Sequence, residues 1–112
     1  MGNQTILTGN MGNDPEIFYG GGGDPVASFN LAFNSGKDKT GWIRVVAFKK
    51  QAEVVEKYLH KGARIIVFGR LDYQEWETDS KEKRRGLQII AESFEFIRTD
   101  GRGFENSDRP PF

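Results

Sequence analysis

Five segments of this chain alternate apolar and polar residues with a period of two, and a segment between the third and the fourth has a helical period instead. Period-two alternation sends successive side chains to opposite faces of a β-strand, so each of the five segments is predicted to be a strand. The predicted strands are residues 4–10, 26–34, 41–50, 63–77 and 84–97. The pattern is that of an all-β fold with one helical interruption.

The helical segment is residues 51–61. Ala52, Val55 and Leu59 fall on one stripe of a helix there. Acidic residues come early in the segment and basic residues late, as the helix dipole favours. Gly62 follows, and glycine is the residue that most readily adopts the left-handed conformation at which helices end. We predict a short helix of about three turns.

Three strands, a helix and two more strands is the sequence order of the OB-fold, a five-stranded, partly open barrel. A small α+β sandwich shares this order. Residues 12–16 are predicted to be a turn, and residues 19–25 a flexible connection. The fourth strand exceeds the usual length of about 5–6 residues, and Gly69 in its middle predicts a bend or bulge. The residues beyond Gly69 are therefore expected to project with the fifth strand as a hairpin arm.

The third predicted strand, GWIRVVAFKK, combines large rings with positive charge. Alternation places Trp42, Arg44, Val46 and Phe48 on one face, and Lys49 and Lys50 close the segment. Because an unpaired buried guanidinium is costly, we expect this face to point outward. Exposed rings beside cations suit the stacking of unpaired nucleobases, whose phosphates the cations neutralise. Alternatively, the rings pack under the helix or against a partner subunit.

The predicted arm carries a second tryptophan. Arg70 and Trp76 share a parity beyond Gly69, so alternation puts both on one face. Two exposed tryptophans on adjacent elements favour a stacking surface more strongly than one.

The charges are sorted along the chain, although 16 basic and 16 acidic residues give a net charge of zero. Basic residues concentrate in residues 41–50 and 81–85, whereas acidic residues collect in residues 72–79 and near the end. These basic patches, rather than the overall charge, favour nucleic-acid binding.

The composition also excludes several kinds of chemistry. The sequence has no cysteine and one histidine, His60, which leaves no thiolate or His-based metal site and no Ser-His triad. The glycine run at residues 20–23 lacks the Gly-Lys-Ser/Thr of a phosphate loop. We therefore expect a protein that is not an enzyme and uses no metal or cofactor. No apolar run reaches the roughly 20 residues of a membrane span, so we expect a soluble protein of the cytoplasm.

Four blocks of the chain resemble the bacterial-type single-stranded DNA-binding proteins in their order and spacing. They are NQTILTGNMGNDPE, VASFNLAFN, GWIRVVAFKKQAEVVEKYLHKG and RIIVFGRLDYQEW. The resemblance runs from about Asn3 to Ile97. It implies an OB-fold domain, here residues 1–98, whose subunits associate, usually as a homotetramer, and wrap single-stranded DNA.

The resemblance also implies roles for individual side chains. The matching base-stacking aromatics are Trp42, Phe48 and Trp76, and the matching strand contacts are Arg44 and Lys50. Some members carry a further stacking aromatic in the loop after the second strand. This chain has SGKDK there, and Lys37 supplies only charge.

A second departure from the family pattern lies around Trp76. The family is often basic in this region, whereas this chain has three acids, Asp72, Glu75 and Glu77. The arm is therefore expected to contribute less electrostatic affinity than is usual. Arg84 and Arg85 on the returning strand are expected to offset the acids.

Residues 99–112 are predicted to be a short flexible tail. Family members commonly end in a linker and an acidic tip closing with Pro-Phe, which docks replication and repair enzymes. This chain ends in Pro111 and Phe112, with Asp108 close before them, so the resemblance implies a partner-binding tip. A terminal phenylalanine with its carboxylate suits a small basic pocket. The alternative is a frayed terminus.

The sequence thus predicts a protein that binds and protects single-stranded DNA without sequence preference in replication, recombination and repair. Two alternatives stay open. One is an OB-fold relative of primosome or RNA-binding proteins. The other is an assembly module whose aromatic face is a protein interface.

Overall fold

The computed structural model describes residues 2–97, which form six strands and one helix. The strands are β1 (Thr5–Met11), β2 (Glu16–Tyr19), β3 (Pro25–Gly36), β4 (Lys39–Phe48), β5 (Arg64–Glu77) and β6 (Lys83–Phe96), and the helix is α1 (Lys49–Tyr58). The five predicted strands correspond to β1, β3, β4, β5 and β6. Their ends lie within two residues of the predicted ones.

The strands form a single sheet in the order β1-β5-β6-β4-β3-β2, and pairing of β1 with β3 closes it into a barrel. The closure rests on Asn10 opposite Ala32 and Met11 opposite Leu31. β4 and β6 run parallel, and the other pairs of strands are antiparallel. A closed five-stranded barrel with one helix between its third and fourth strands is the OB-fold. The predicted fold is confirmed.

The short strand β2 is absent from the sequence prediction, which assigned Glu16 to a turn and Tyr19 to a flexible connection and left the two residues between them unassigned. β2 pairs with β3 along four positions, from Glu16 opposite Ser28 to Tyr19 opposite Pro25. Four residues between turn-forming segments are too few to display a clear alternation. The outer edge of β3 supplies the hydrogen-bonding partners that hold this segment extended.

The inward side chains of the barrel make the hydrophobic core. Ala27, Phe29 and Leu31 of β3 are buried, as their alternation predicts. The ring of Phe29 lies 6.2 Å from that of Phe94 on β6, at an interplanar angle of 41°. A tilted pair at this distance joins the two sides of the barrel across its interior. The predicted helical stripe, Ala52, Val55 and Leu59, is also buried and belongs to the same core.

The helix α1 begins two residues earlier and ends three residues earlier than predicted. It begins directly after Phe48, which is extended, and its first residue, Lys49, has a φ of 52°. It ends before Leu59, which returns to extended backbone. Gly62 is therefore not the helix stop. It lies in the following turn with a φ of 90° and donates its N–H to the carbonyl of Met11 at 2.9 Å, which ties the turn to β1.

Gly69 marks the point where β5 loses its pairing with β1. The pairing of β1 with β5 ends at Thr5 opposite Gly69, and the β5–β6 register shifts between Phe68 and Gly69. A Cβ at Gly69 would overlap the carbonyl oxygen of Ile90, so glycine permits the close approach of the two backbones. Within the described part of the chain, residues 73–77 and 83–87 pair only with each other, so the arm is present but begins at Tyr73 rather than directly after Gly69.

The side chain of Asn3 supports the base of the arm beyond the end of β1. Its amide oxygen accepts a hydrogen bond from the N–H of Leu71 at 3.0 Å, and its amide nitrogen donates to the carbonyl of Leu71 at 2.9 Å. These are the two backbone groups that a further residue of β1 would engage in an antiparallel ladder. Asn3 therefore extends the support of β5 past Gly69.

Replacement of Asn3 by alanine is expected to loosen the base of the arm. The change removes both hydrogen bonds, each with a net value of about 1 kcal/mol, so the Leu71 amide should exchange with solvent hydrogen at least about fivefold faster. Hydrogen exchange followed by NMR measures this rate. Gln4→Ala is the matched control, since the Gln4 side chain makes no hydrogen bond within residues 2–97. Equal exchange rates at Leu71 in all three proteins would contradict the role of Asn3.

Candidate nucleic-acid interface

One side of β4 presents rings and a guanidinium to solvent. Trp42 and Phe48 are 62% and 46% exposed, and Arg44 between them is also exposed. On the other side of the strand, Val45 and Ala47 are fully buried. The outward direction predicted for the rings is confirmed, and the alternative that they pack under the helix is wrong.

The indole of Trp42 rests on the chain that follows β1. A Cβ at Gly12 would lie 2.9 Å from Cη2 of Trp42, so the ring occupies the space that a side chain there would need. The N–H of Gly12 is itself bonded to the carbonyl of Asn30 at 2.9 Å. The ring is thus supported by ordered backbone in the free protein, which reduces the entropy lost when a base stacks on it.

Arg44 lies between the two rings along β4, and a side chain of the neighbouring strand holds its guanidinium in place. Its Nη2 donates to the hydroxyl of Ser28 on β3 at 3.1 Å. Ser28 is almost completely buried, so the hydroxyl is a fixed partner. A guanidinium fixed in this way retains other N–H donors for a phosphate.

The arm places a second tryptophan over a glycine. Trp76 is 50% exposed and pairs with Arg84 on β6. A Cβ at Gly86 would lie 3.5 Å from Cη2 of Trp76, which shows that the ring lies beside the Gly86 backbone. Arg70, with the same parity on β5, is also exposed. The predicted shared side of Arg70 and Trp76 is confirmed.

The structure separates the two arginines that were expected to offset the acids of the arm. Arg84 lies on the side of Trp76, but its guanidinium forms an ion pair with Glu82, with 3.1 Å between Nη2 and Oε2. Arg85 pairs with Glu75, so it points to the opposite side of the arm from Trp76. A contribution of Arg85 to a stacking surface around Trp76 is therefore not favoured by its position.

The three acids are divided in the same way. Glu75 and Glu77 have the parity opposite to Trp76 and face the other side of the arm. Their partners in the strand register there are Arg85 and Lys83. Asp72 has the parity of Trp76 and shares its side. The side that carries Trp76 is therefore less acidic than the sequence run suggests.

The two lysines at the end of the predicted third strand, which are candidate contacts to DNA, do not lie on β4. Lys49 and Lys50 are the first residues of α1, directly after Phe48, and both are exposed. Their assignment to the third strand is wrong, because the positive φ of Lys49 turns the chain there. Lys37 is exposed in the turn between β3 and β4.

Phe18 is a candidate stacking residue that the sequence reasoning missed. It pairs with Val26 on β3, and Val26 pairs with Phe48 on β4, so the three side chains share one row and one side of the sheet. Phe18 is 55% exposed and lies two strands from Phe48, a separation of about 10 Å. The only sequence signal was an apolar residue before the glycine run, which turn-forming neighbours concealed.

The remaining sequence predictions concern metals, membranes and the tail. Residues 2–97 contain no group of three or more His, Cys, Asp or Glu side chains arranged to hold a metal ion. No helix within the described residues is long and apolar enough to cross a membrane. The tip residues Asp108, Pro111 and Phe112 lie outside the described residues.

An OB-fold barrel whose surface combines exposed rings with cations belongs to the class that binds single-stranded nucleic acid. The sequence model of the single-strand binding protein family matches residues 2–97. The chain therefore belongs to the single-strand binding protein family. Membership supports binding of single-stranded DNA, and the proteins of this family are binding proteins.

Replacement of Lys49 by glycine is expected to raise the stability of the fold and to lower the salt dependence of DNA binding. Glycine relieves a left-handed conformation that costs other residues about 1–2 kcal/mol, so the free energy of unfolding should rise by about 0.5–1 kcal/mol. Loss of the charge should lower the slope of log affinity against log salt by about 0.7 if Lys49 contacts a phosphate. Thermal unfolding and salt-dependent titration measure the two quantities. Lys49→Ala removes the same charge but retains the backbone strain, so a stability gain in both variants would contradict this explanation.

Proposed function

We propose that this protein coats and protects single-stranded DNA with little sequence preference. Bases stack on Trp42, Phe48, Trp76 and Phe18, and the phosphates pair with cations around these rings. The proposed cations are Arg44, Lys49, Lys50, Arg70, Lys37 and Arg84. The observation that carries the proposal is that Arg44, whose guanidinium is held by Ser28, lies on the same side of β4 as the exposed rings of Trp42 and Phe48.

The energetics of stacking explain why such a surface accepts any sequence. Every base has a π-face, and stacking on an aromatic side chain contributes about 1–3 kcal/mol per base. Arg44 has no carboxylate within ion-pairing distance in the described residues, so a phosphate need not displace an acid to reach it. Arg84 does have such a partner, Glu82, and should contribute less.

We propose that the protein assembles as a homotetramer. Between Thr5 and Gly9, β1 pairs with β5 but has no strand partner on its other edge among residues 2–97. An open groove of about 910 Å³ lies along this edge, and Ile6 on β1 is 67% exposed. A free strand edge beside an exposed apolar side chain favours pairing with a second copy.

The cellular role follows from coating single-stranded DNA. Such strands arise in replication, recombination and repair, and we propose that the protein acts there in the cytoplasm, on the nucleoid. The tail residues Asp108, Pro111 and Phe112 are proposed to recruit replication and repair enzymes, by the family resemblance of the Pro-Phe end.

Titration with a thymine oligonucleotide tests the proposed function. Stacking should strongly quench the tryptophan fluorescence, and the affinity should fall steeply with salt. Equal or tighter binding to duplex DNA of the same length would contradict the proposal. Tighter binding to RNA than to DNA would support the RNA-binding alternative. Native mass spectrometry with and without the oligonucleotide reports the number of subunits and of strands.

A further inference from the structure

Asp72 lies inside the proposed interface rather than at its border. The strand registers place it in one row with Gln88 on β6, Arg44 on β4 and Asn30 on β3. Side chains in such a row share one side of the sheet. A carboxylate therefore lies on the same side of the sheet as the rings of β4, two strands from Arg44 and four residues before Trp76 on β5.

The carboxylate of Asp72 is oriented by Gln88. The amide nitrogen of Gln88 donates to Oδ2 of Asp72 at 3.0 Å, and Gln88 is only 8% exposed. Because an ionised carboxylate only accepts hydrogen bonds, the partner must offer its amide nitrogen, which fixes the orientation of the Gln88 amide. The second oxygen, Oδ1, accepts no hydrogen bond from any described residue.

A fixed, free carboxylate oxygen acts differently on the two parts of a bound strand. It repels phosphates, so the backbone is directed away from this point and towards the cations. It attracts N–H groups of bases, since hydrogen bonds to charged acceptors are stronger than neutral ones. Cytosine carries an amino donor at C4, where thymine carries a carbonyl acceptor.

We propose that Asp72, oriented by Gln88, is a specificity-determining residue of the interface. Its free oxygen accepts a hydrogen bond from the amino group of a base, so cytosine is favoured over thymine at this position. The inference rests on the proposed function and adds a preference at one base to stacking that accepts any base. Its measurable quantity is the ratio of the dissociation constant for a thymine oligonucleotide to that for a cytosine oligonucleotide of equal length.

Asp72→Asn is the direct test. The oxygen of the new amide keeps the hydrogen bond from Gln88, which turns the amide nitrogen towards the strand and replaces an acceptor with a donor. The ratio, measured by fluorescence titration at pH 8, should fall about fivefold to tenfold relative to the unmodified protein. Gln88→Met removes the hydrogen bond that orients the Asp72 carboxylate but leaves its charge unchanged. This variant should lower the ratio by a smaller factor.

Glu75→Gln is the matched control, because it removes the same charge from the opposite side of the arm. It should leave the ratio unchanged. An Asp72→Asn protein that binds both oligonucleotides more tightly by an equal factor would show that the carboxylate only repels phosphate, which overturns the inference. In that case the proposed function stands. If the unmodified protein binds neither oligonucleotide, the proposed function itself fails.

Discussion

Replacement of both Trp42 and Phe48 by alanine is expected to weaken binding to a thymine oligonucleotide by at least about 30-fold. Each ring contributes about 1–3 kcal/mol of stacking, and the lower limit for two rings is about 2 kcal/mol. Both rings are outside the core, so the double variant should fold normally. Because Trp42 is lost, the affinity is best measured by fluorescence anisotropy of a labelled oligonucleotide.

A third exposed aromatic residue provides the control for this experiment. Tyr73 is 55% exposed and has the parity opposite to Trp76, so Tyr73→Ala removes a ring from the other side of the arm. Its affinity should stay close to that of the unmodified protein. A double variant that retains its affinity but loses its subunit association, by native mass spectrometry, would instead support the assembly module as the function of this face.

The second large effect is expected at Gly69. Alanine there forces a Cβ against the carbonyl group of Ile90, with the carbonyl carbon only 3.0 Å away. The crowding involves backbone on both strands, which cannot rotate away as a side chain can. We expect the free energy of unfolding to fall by about 3 kcal/mol, which corresponds to a decrease in Tm of about 12–24 °C.

Gly86→Ala is the matched substitution for thermal unfolding. Gly86 also lies in a strand of the arm, but its nearest neighbour would be the Trp76 ring at an ordinary contact distance of 3.5 Å. Its Tm should change by only a few degrees, about what 1 kcal/mol or less produces. Similar losses of stability in the two variants would show that strand propensity, and not the approach to Ile90, explains the glycine at residue 69.

The alternation of the sequence predicted five strands, one helix and the outward side of β4, whereas the choice of a barrel over a small α+β sandwich came from the family resemblance. On β4, the apolar residues at 45 and 47 are buried and the rings at 42 and 48 are exposed, although Val46, which shares the parity of the rings, is buried as well. The same reasoning located the arm, since Gly69 interrupts an otherwise continuous strand. Local pattern is informative wherever burial differs between the two faces of one strand.

Features set by pairing between distant strands were not predictable in this way. β2 exists because β3 offers it an edge, and Phe18 joins the row of Phe48 only through that pairing. The side on which Arg84 or Arg85 lies depends on the register across the turn at residues 78–82, which the alternation of either strand does not fix. The early start of α1 depends on the left-handed backbone of Lys49, which a lysine rarely adopts.

The support that Asn3 gives to the arm has a consequence for the order of events during synthesis. Asn3 and Leu71 are 68 residues apart in the chain, and all the pairing of β1 with β5 is similarly distant. At a translation rate of about 5–20 residues per second, β5 is synthesised several seconds after β1. We therefore expect the barrel of the nascent chain to close late, only after β5 has emerged from the ribosome.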